Sequence, residues 1–533
     1  MKKIFLFVFL HVFLISCSNI KDTTSSPKIP ISAKNQTAIE FYKKAELKKS
    51  RGDIVSAISD YKSALRIEPT FLMAAINIPI SDKFLKTNYI KNATAEIENL
   101  TPSERLILDI FNSESIEEKR KFGEKLVELN PNSSEAKYIL ADLYIGGFGY
   151  IEKKGLEILS DIVKSDPKFY NAHRAIFNNQ YPRFDWRKQK EIAKNKDSLS
   201  LLEIRIDNLI SLDTLNPAIY RQFGDVYRGI DPNKTKEFYL KGLDICNRQG
   251  NSYRSELILS VAYANYLLEK DGEMFEYLQE AIDVEFEPFL KIKRIFQFVN
   301  MCVGIENYQK AIAKLNSLES DLIQLGLNKK NINQFLVSLY YFKSIIYALM
   351  EDDVNSIIAL KNYVSTSKKV LVDIPNLNNS YVQERNRQLT GIGIIGGLDD
   401  RLLMATELNQ HRNSIFINIL NGKFDDAKKL IDEPKINKLS AREKIFYDDL
   451  TSFKMGRYNE VIKSRLDNQN IIENEQFNGF FNTWHTSIYG LSLQRNGDIT
   501  KAKDLFYNQA NSTGFNFNSL IFKQRAKEIY FSN

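Results

Sequence analysis

Outside the first 16 residues the chain holds three histidines, His173, His411 and His485, the natural starting point for acid–base or metal chemistry. None lies in an HExxH run, and no cysteine pair has zinc spacing. A serine nucleophile on a strand-to-helix elbow would read GxSxG, and no such run occurs. Gly391, Gly393 and Gly396 do satisfy GxGxxG, the spacing that lets a pyrophosphate approach the amide end of a helix. That motif needs a strand before it, whereas the preceding QERNRQLT is polar, so a loop or a close helix contact is the better reading. Asp399-Asp400 and Asp425-Asp426 fall where helices begin, where carboxylates cap free amides and offset the helix dipole. The chain therefore reads as a non-enzyme without metal site or cofactor. A scattered catalytic constellation is the alternative, and His485→Ala is the substitution that would reveal it.

Cys17 has a more definite fate. Lys2 and Lys3 precede an apolar run, Ile4 to Ile15, broken only by His11. This is shorter than the ~20 apolar residues that span a bilayer, so residues 1–16 read as a cleavable signal peptide. Leu14-Ile15-Ser16-Cys17 resembles the lipobox of bacterial lipoproteins. The resemblance implies cleavage before Cys17, acylation of its thiol by palmitate-class chains, and a lipid anchor in the cell envelope; an ordinary secretory signal with a chance cysteine is the alternative. Several acyl chains, at roughly 0.8 kcal/mol per buried CH₂, hold a protein firmly where one does not. Ser18 stands where the enterobacterial sorting rule would need Asp for inner-membrane retention, which implies the outer membrane in a diderm cell. Ser18 to Gln36 is rich in Ser, Thr, Lys and Pro, lacks apolar periodicity, and reads with Cys17 as a flexible tether over 17–36, with a reach of roughly 25 Å.

The elements that follow must build more than one ordinary core, since the whole chain has 533 residues. Its formal charge is +7, of which Lys2 and Lys3 supply two, and the two signs are interspersed. That pattern is a solvated surface and excludes a nucleic-acid footprint. Cys246 and Cys302 sit in apolar helical patterns and read as buried free thiols. No second membrane segment follows: the best candidate, Phe335 to Met350, is interrupted by Ser338, Lys343 and Ser344 and reads as a core helix.

The segment AISDYKSALRIEP, Ala57 to Pro69, resembles the second helix of a tetratricopeptide repeat. Ala57, Tyr61 and Ala64 take its small–large–small positions, and Pro69 follows the helix. The first helix, Thr37 to Lys49, carries Ala45 at the small position; Gly52 makes the turn, and Thr37 to Glu40 reads as a capping box. A second match places Tyr220, Gly224 and Tyr227 on a first helix, with Tyr239 and Gly242 on its partner. A third places Gly490 on a first helix, Asn496-Gly497-Asp498 in the turn, and Ala502 and Phe506 on the second. Partial matches include Ala141 with Tyr144, Gly155 and Leu159; Leu278 with Ala281; Ala311 with Leu315; Gly422 with Ala427; and Gly456 before Tyr458. Read as helix-ending, Pro69, Pro102, Pro131 and Pro167 are 33, 29 and 36 residues apart, and Pro217 to Pro288 is 71, near twice the ~34-residue period. Pro167 to Pro217 is 50, which implies an inserted or broken unit. Thr101 to Glu104 and Ser440 to Glu443 are further capping boxes.

The expected fold is thus all-α: a superhelical array of antiparallel helix pairs, over 37–373 and 401–533, with an irregular glycine-containing hinge at 374–400 that divides it into two lobes. Such an array is a binding scaffold. The Lys and Asn clamp that some tetratricopeptide domains use for a peptide carboxylate is absent, because its positions hold Tyr42, Glu46, Arg221 and Asp225. The turn around Tyr181 to Lys188 offers Arg183, Phe184, Trp186 and Arg187, types favoured at binding hot spots, although a kinked inter-repeat turn also explains it. The reading is a membrane-anchored scaffold for a protein or peptide partner in the envelope. The alternative is a glycan-binding outer-membrane lipoprotein on similar helices, against which stand only two tryptophans, Trp186 and Trp484.

Overall fold

The computed structural model describes residues 27–533 except 81–82, 147–149, 182, 184, 373–406, 434–438, 475–478, 515–516 and 532–533. The signal peptide, Cys17 and the 374–400 segment with its glycines therefore lie outside the described residues. Among those described the protein is all-helical, with one isolated antiparallel bridge, Ile145 to Ile151, in place of any strand. None of the described helices is long and apolar enough to cross a membrane.

The chain forms two compact units: residues up to Val226 with Lys241–Tyr253, and Tyr227–Leu240 with Arg254–Asn533. In the first unit the helices are α1 (Gln36–Ser50), α2 (Ile54–Ile67), α3 (Leu72–Asn77), α4 (Lys83–Ala93), α5 (Pro102–Asn112), α6 (Ile116–Leu129), α7 (Ser134–Asp142), α8 (Lys153–Ser165), α9 (Tyr170–Gln180), α10 (Trp186–Lys194) and α11 (Lys196–Leu212). Then α12 (Pro217–Tyr227) and α13 (Pro232–Gln249) span the chain positions where the units divide. The second unit continues with α14 (Arg254–Leu267), α15 (Asp271–Asp283), α16 (Pro288–Gly304), α17 (Tyr308–Asp321), α18 (Lys329–Leu349), α19 (Asp353–Val372), α20 (Glu407–Leu420), α21 (Phe424–Asp432), α22 (Ala441–Lys454), α23 (Tyr458–Asp467), α24 (Gln469–Asn474), α25 (Gly479–Arg495), α26 (Ile499–Asn511), α27 (Phe517–Leu520) and α28 (Lys523–Phe531). Helices α19 and α20, on either side of the 374–400 segment, belong to this unit and pack on each other.

One turn recurs through both units. Left-handed residues stand at Gly52, Glu269, Glu306, Glu351, Gly422, Gly456 and Gly497. After each, the next amide bonds back to the carbonyl five residues earlier at 2.8–2.9 Å: Asp53 to Lys48, Lys270 to Asn265, Asn307 to Cys302, Asp352 to Tyr347, Lys423 to Asn418, Arg457 to Ser452 and Asp498 to Leu493. This is the Schellman closure of a helix C-terminus. The following helix starts at once, and Asp53, Asn307, Asp352 and Asp498 also accept a first-turn amide as its N-cap. The turns join α1–α2, α14–α15, α16–α17, α18–α19, α20–α21, α22–α23 and α25–α26, and each pair packs face to face.

Small residues allow that packing. Ala45, Ala57, Ala64 and Tyr61 are fully buried between α1 and α2, with the Tyr61 hydroxyl donating to Glu46. Gly224 is buried in α12, and the Tyr227 ring lies 5.4 Å from Phe238. A Cβ on Gly490 would stand 2.5 Å from the Phe506 ring, and one on Gly155 would stand 2.7 Å from Tyr144. Cys246 and Cys302 are buried free thiols; burial pushes the Cys302 thiol up to about 12. The Phe335–Met350 stretch lies in α18, with Ser338 and Ser344 buried in the core.

Several local expectations need correction. Helix α1 is capped by Asn35, whose Oδ1 accepts the Thr37 and Ala38 amides, so Thr37 lies inside the helix and is not its cap. The boxes at Thr101 and Ser440 form as read. Pro69, Pro131 and Pro167 follow helices, but Pro102, Pro217 and Pro288 open them, so the proline ruler mixes two roles. The 50-residue gap is filled by three helices, α9, α10 and α11, in place of a pair. An open array would let each hairpin touch only its neighbours; in the first unit the α1–α2 turn is instead clasped from far along the chain. Arg51 donates to both Asp213 oxygens at 3.1 and 2.7 Å, Ser252 Oγ donates to Asp53 at 2.6 Å, and the Tyr253 ring covers Gly52. Within the second unit Lys527 pairs with Glu269 at 3.0 Å, and Leu520 fills the space beside Gly304.

Candidate functional site

Residues 27–35, read from composition as part of a free tether, lie on the first unit. Ile29 is 4% exposed and belongs to the core formed by α1 to α7, with Ile31 and Ala33 packed against the same core. Inward residues at every second position are what an extended chain with one buried face requires. The alternating outer positions Lys28, Pro30 and Lys34 are exposed.

Three glutamates from successive parts of the unit hold this arm by its backbone. The Ile29 amide donates to Glu135 Oε2 at 3.3 Å, and the Ser32 amide to Glu104 Oε2 at 2.9 Å. The amides of Lys34 and Asn35 donate to the two oxygens of Glu68 at 2.9 and 3.0 Å. Pro30 has no amide to offer; its carbonyl accepts the Thr101 hydroxyl at 3.0 Å. Glu68 is the C-cap of α2, Glu104 is in the first turn of α5, and Glu135 is in the first turn of α7. The arm thus runs from α7 back towards α2, against the order of the helices.

Local sequence explains how these carboxylates are held. Glu104 is the acidic member of the Thr101 capping box, so the same Oε2 that receives Ser32 also accepts the Thr101 amide at 3.0 Å. Its side chain is fully buried, and Oε1 accepts no hydrogen bond from the described residues. Burial raises the Glu135 carboxyl above the ordinary range; the Ile29 amide and Lys28 pull it down, and Glu46 pushes it up. The Tyr42 ring lies tilted at 54° against Phe71 with centroids 5.0 Å apart, and its hydroxyl accepts from Asn77 at 3.4 Å. That hydroxyl is raised well above the usual value by burial and then by Glu46 and Glu135. Tyr42 and Glu46, set aside as clamp positions, are therefore electrostatically coupled to Glu135, the acceptor of the Ile29 amide. Charged acceptors make the stronger class of amide hydrogen bond, and a main-chain ladder of this kind is indifferent to sequence except where side chains enter pockets.

The other candidates have different settings. The turn at 181–188 links α9 to α10 and is fastened from inside: Asp185 caps α10 by accepting the Arg187 and Lys188 amides at 3.1 Å each, and buried Gln189 donates to the Arg183 carbonyl at 2.9 Å. The Arg183 guanidinium lies 3.9 Å from Asp225, while Arg187 and Lys190 stand 5.6 and 5.2 Å from the Trp186 ring. Trp186 and Arg183 are half-buried, Arg187 is exposed, and Phe184 lies outside the described residues. In the second unit His485 is fully buried on α25, its Nε2–H donating to Asp449 Oδ2 of α22 at 2.5 Å, with Phe446 edge-on at 5.8 Å. Burial holds the His485 ring below its ordinary pKa, opposed by Asp449. The nearby Ser487 hydroxyl donates to its own helix at the Thr483 carbonyl. His173 Nε2–H donates to the Pro167 carbonyl at 2.9 Å, and His411 is buried on α20. Asp425 and Asp426 occupy the first turn of α21. Among the described residues no three His, Cys, Asp or Glu side chains converge as metal ligands.

Compared with known proteins, the chain matches no family model and no curated protein. The most specific arrangement among the described residues is the arm on its glutamate ladder.

Proposed function

We propose that this protein is a non-enzymatic scaffold of the tetratricopeptide type, anchored in a bacterial envelope through lipidated Cys17, whose helical hairpins hold an extended segment of a protein partner. The observation that carries this reading is the arm itself: the first unit binds an extended chain through backbone amides received by three helices. The recurrent turns support it from the fold side, since a repeated hairpin stacked on its neighbours leaves a continuous surface for such a chain. The lipobox-like run at Leu14 to Cys17 supports the anchor and the envelope address, with the outer membrane favoured in a diderm cell.

Crosslinking in intact cells at near-native expression, followed by capture from gently solubilised membranes, tests the reading. A defined protein partner is expected with the native chain, and several-fold less of it with Glu135→Gln. Recovery of the protein alone would overturn the proposal.

A further inference from the structure

We propose that residues 27–35 are an exchangeable occupant of the site they fill, and that the partner enters as an extended segment of the same chemistry, displacing the arm from Glu68, Glu104 and Glu135. This rests on the scaffold reading above and specifies its regulation. The arm displays the ligand rules directly. Amides are required at the positions of Ile29, Ser32, Lys34 and Asn35, because each meets a carboxylate oxygen. Proline is accepted at position 30, where Thr101 asks only for a carbonyl. Apolar side chains are wanted at every second place, where Ile29, Ile31 and Ala33 meet the core. Positive charge is favoured near Glu135, whose carboxyl the Lys28 charge pulls down.

The two ends of the arm are held unequally. Glu68 takes two adjacent amides beside the cap of α1, where the arm is covalently continuous with the helix. The far end rests on one longer contact, Ile29 to Glu135 at 3.3 Å, and on the burial of one isoleucine. An incoming segment would begin at that end and peel the arm towards α1. A ligand tethered beside its site competes at an effective concentration of order mM, so a free segment must outbid it or find it already loosened.

The test uses the full chain and a fluorescent peptide copying residues 26–36. Ile29→Asp places a charge in the core position and frees the arm; hydrogen exchange at residues 27–35 and far-UV circular dichroism check that the arm opens while the helices persist. The peptide is expected to bind the Ile29→Asp chain at least tenfold more tightly than the native chain. Adding Glu135→Ala is expected to reverse that gain about tenfold, and a peptide carrying the same Ile-to-Asp change is expected not to bind. An opened arm with no peptide binding, or binding indifferent to Glu135, would overturn the proposal. So would concentration-dependent dimers of the native chain held by exchange of arms, because the occupant would then be a second copy. The titration needs no partner, so it can fail while the crosslinking result stands, and the reverse.

Discussion

Three of the hairpin turns put a glutamate where glycine would be free of strain. Glu269, Glu306 and Glu351 have φ of 57°, 55° and 59°, and the left-handed region costs an L-residue roughly 1–2 kcal/mol. Two of them have a use for the side chain: Glu269 pairs with Lys527 at 3.0 Å and Glu306 with Arg525 at 3.7 Å, both partners on α28. An exposed pair returns about 0–1 kcal/mol, comparable with the strain. Glu351 is exposed at its turn and belongs to no ion pair among the described residues. Glu351→Gly is therefore expected to raise stability by about 0.5–1 kcal/mol after the unfolded-state entropy of glycine is subtracted, and Glu269→Gly to change it by less. Urea midpoints for the two variants decide it, and the reverse order would refute the assignment. Lys523 gives a second prediction. Its ammonium is buried, donates to the Ser512 carbonyl and lies 5.2 Å from the Tyr266 ring centroid. Burial, with Lys527 repelling, lowers its pKa to about 7, against about 10.4 unfolded. Between those values the unfolded chain binds a proton that the folded chain releases, so stability rises with pH from about 7 to 10. The native chain is expected to gain in urea midpoint from pH 7 to 9 relative to Lys523→Met; parallel profiles would mean that the ammonium is solvated.

Helical glycines separate by what faces them. Gly490 of α25 has the Phe506 ring 2.5 Å from the place a Cβ would take, whereas Gly272 of α15 has no atom of the described residues within 4 Å. Alanine in a helix is worth up to about 1 kcal/mol over glycine, and overpacking costs about 1–3 kcal/mol. Gly272→Ala is thus expected to raise the melting temperature and Gly490→Ala to lower it; a gain at both sites would show that α25 and α26 are not in close contact there. Gly490 with Phe506, and Ala57, Tyr61 and Ala64, were legible in the sequence because close approach demands small residues at fixed spacing. The glutamate turns were not, since only glycine announces a left-handed residue. The arm was missed because Ile29, Ile31 and Ala33 alternate for only five positions, around a proline and amid Ser, Thr and Lys. A half-buried extended segment with so short a period looks like a linker until its acceptors are known, and Glu68, Glu104 and Glu135 are distant in sequence. The same contacts explain the start of α1: Glu68 fixes the amides of Lys34 and Asn35, so Asn35 becomes the cap two residues before Thr37.

At the scale of the whole molecule, the docked arm changes what an anchor at Cys17 would do. With the arm in place, the leash from Cys17 ends at Ile29 and spans at most about 40 Å; with the arm released it ends at Gln36 and spans at most about 65 Å, taking about 3.4 Å per residue. Entry of a partner segment would then lengthen the tether of the first unit in the same step, which couples binding to reach without any change in the helices. The lipidated chain in vesicles makes this measurable by energy transfer from a dye on the first unit to a headgroup acceptor. Leu129 at the end of α6 is exposed and suits a single Leu129→Cys label, because Cys246 and Cys302 are both buried away from the reagent and burial also pushes the Cys302 thiol up to about 12. Transfer is expected to fall when Ile29→Asp is added and to fall likewise when native chain is saturated with the arm peptide. Equal transfer in all three samples, with hydrogen exchange showing the arm open in the variant, would mean that the arm does not set the reach. Loss of vesicle binding on Cys17→Ser is the companion result, since without acyl chains only the short apolar leader could hold the chain at a bilayer.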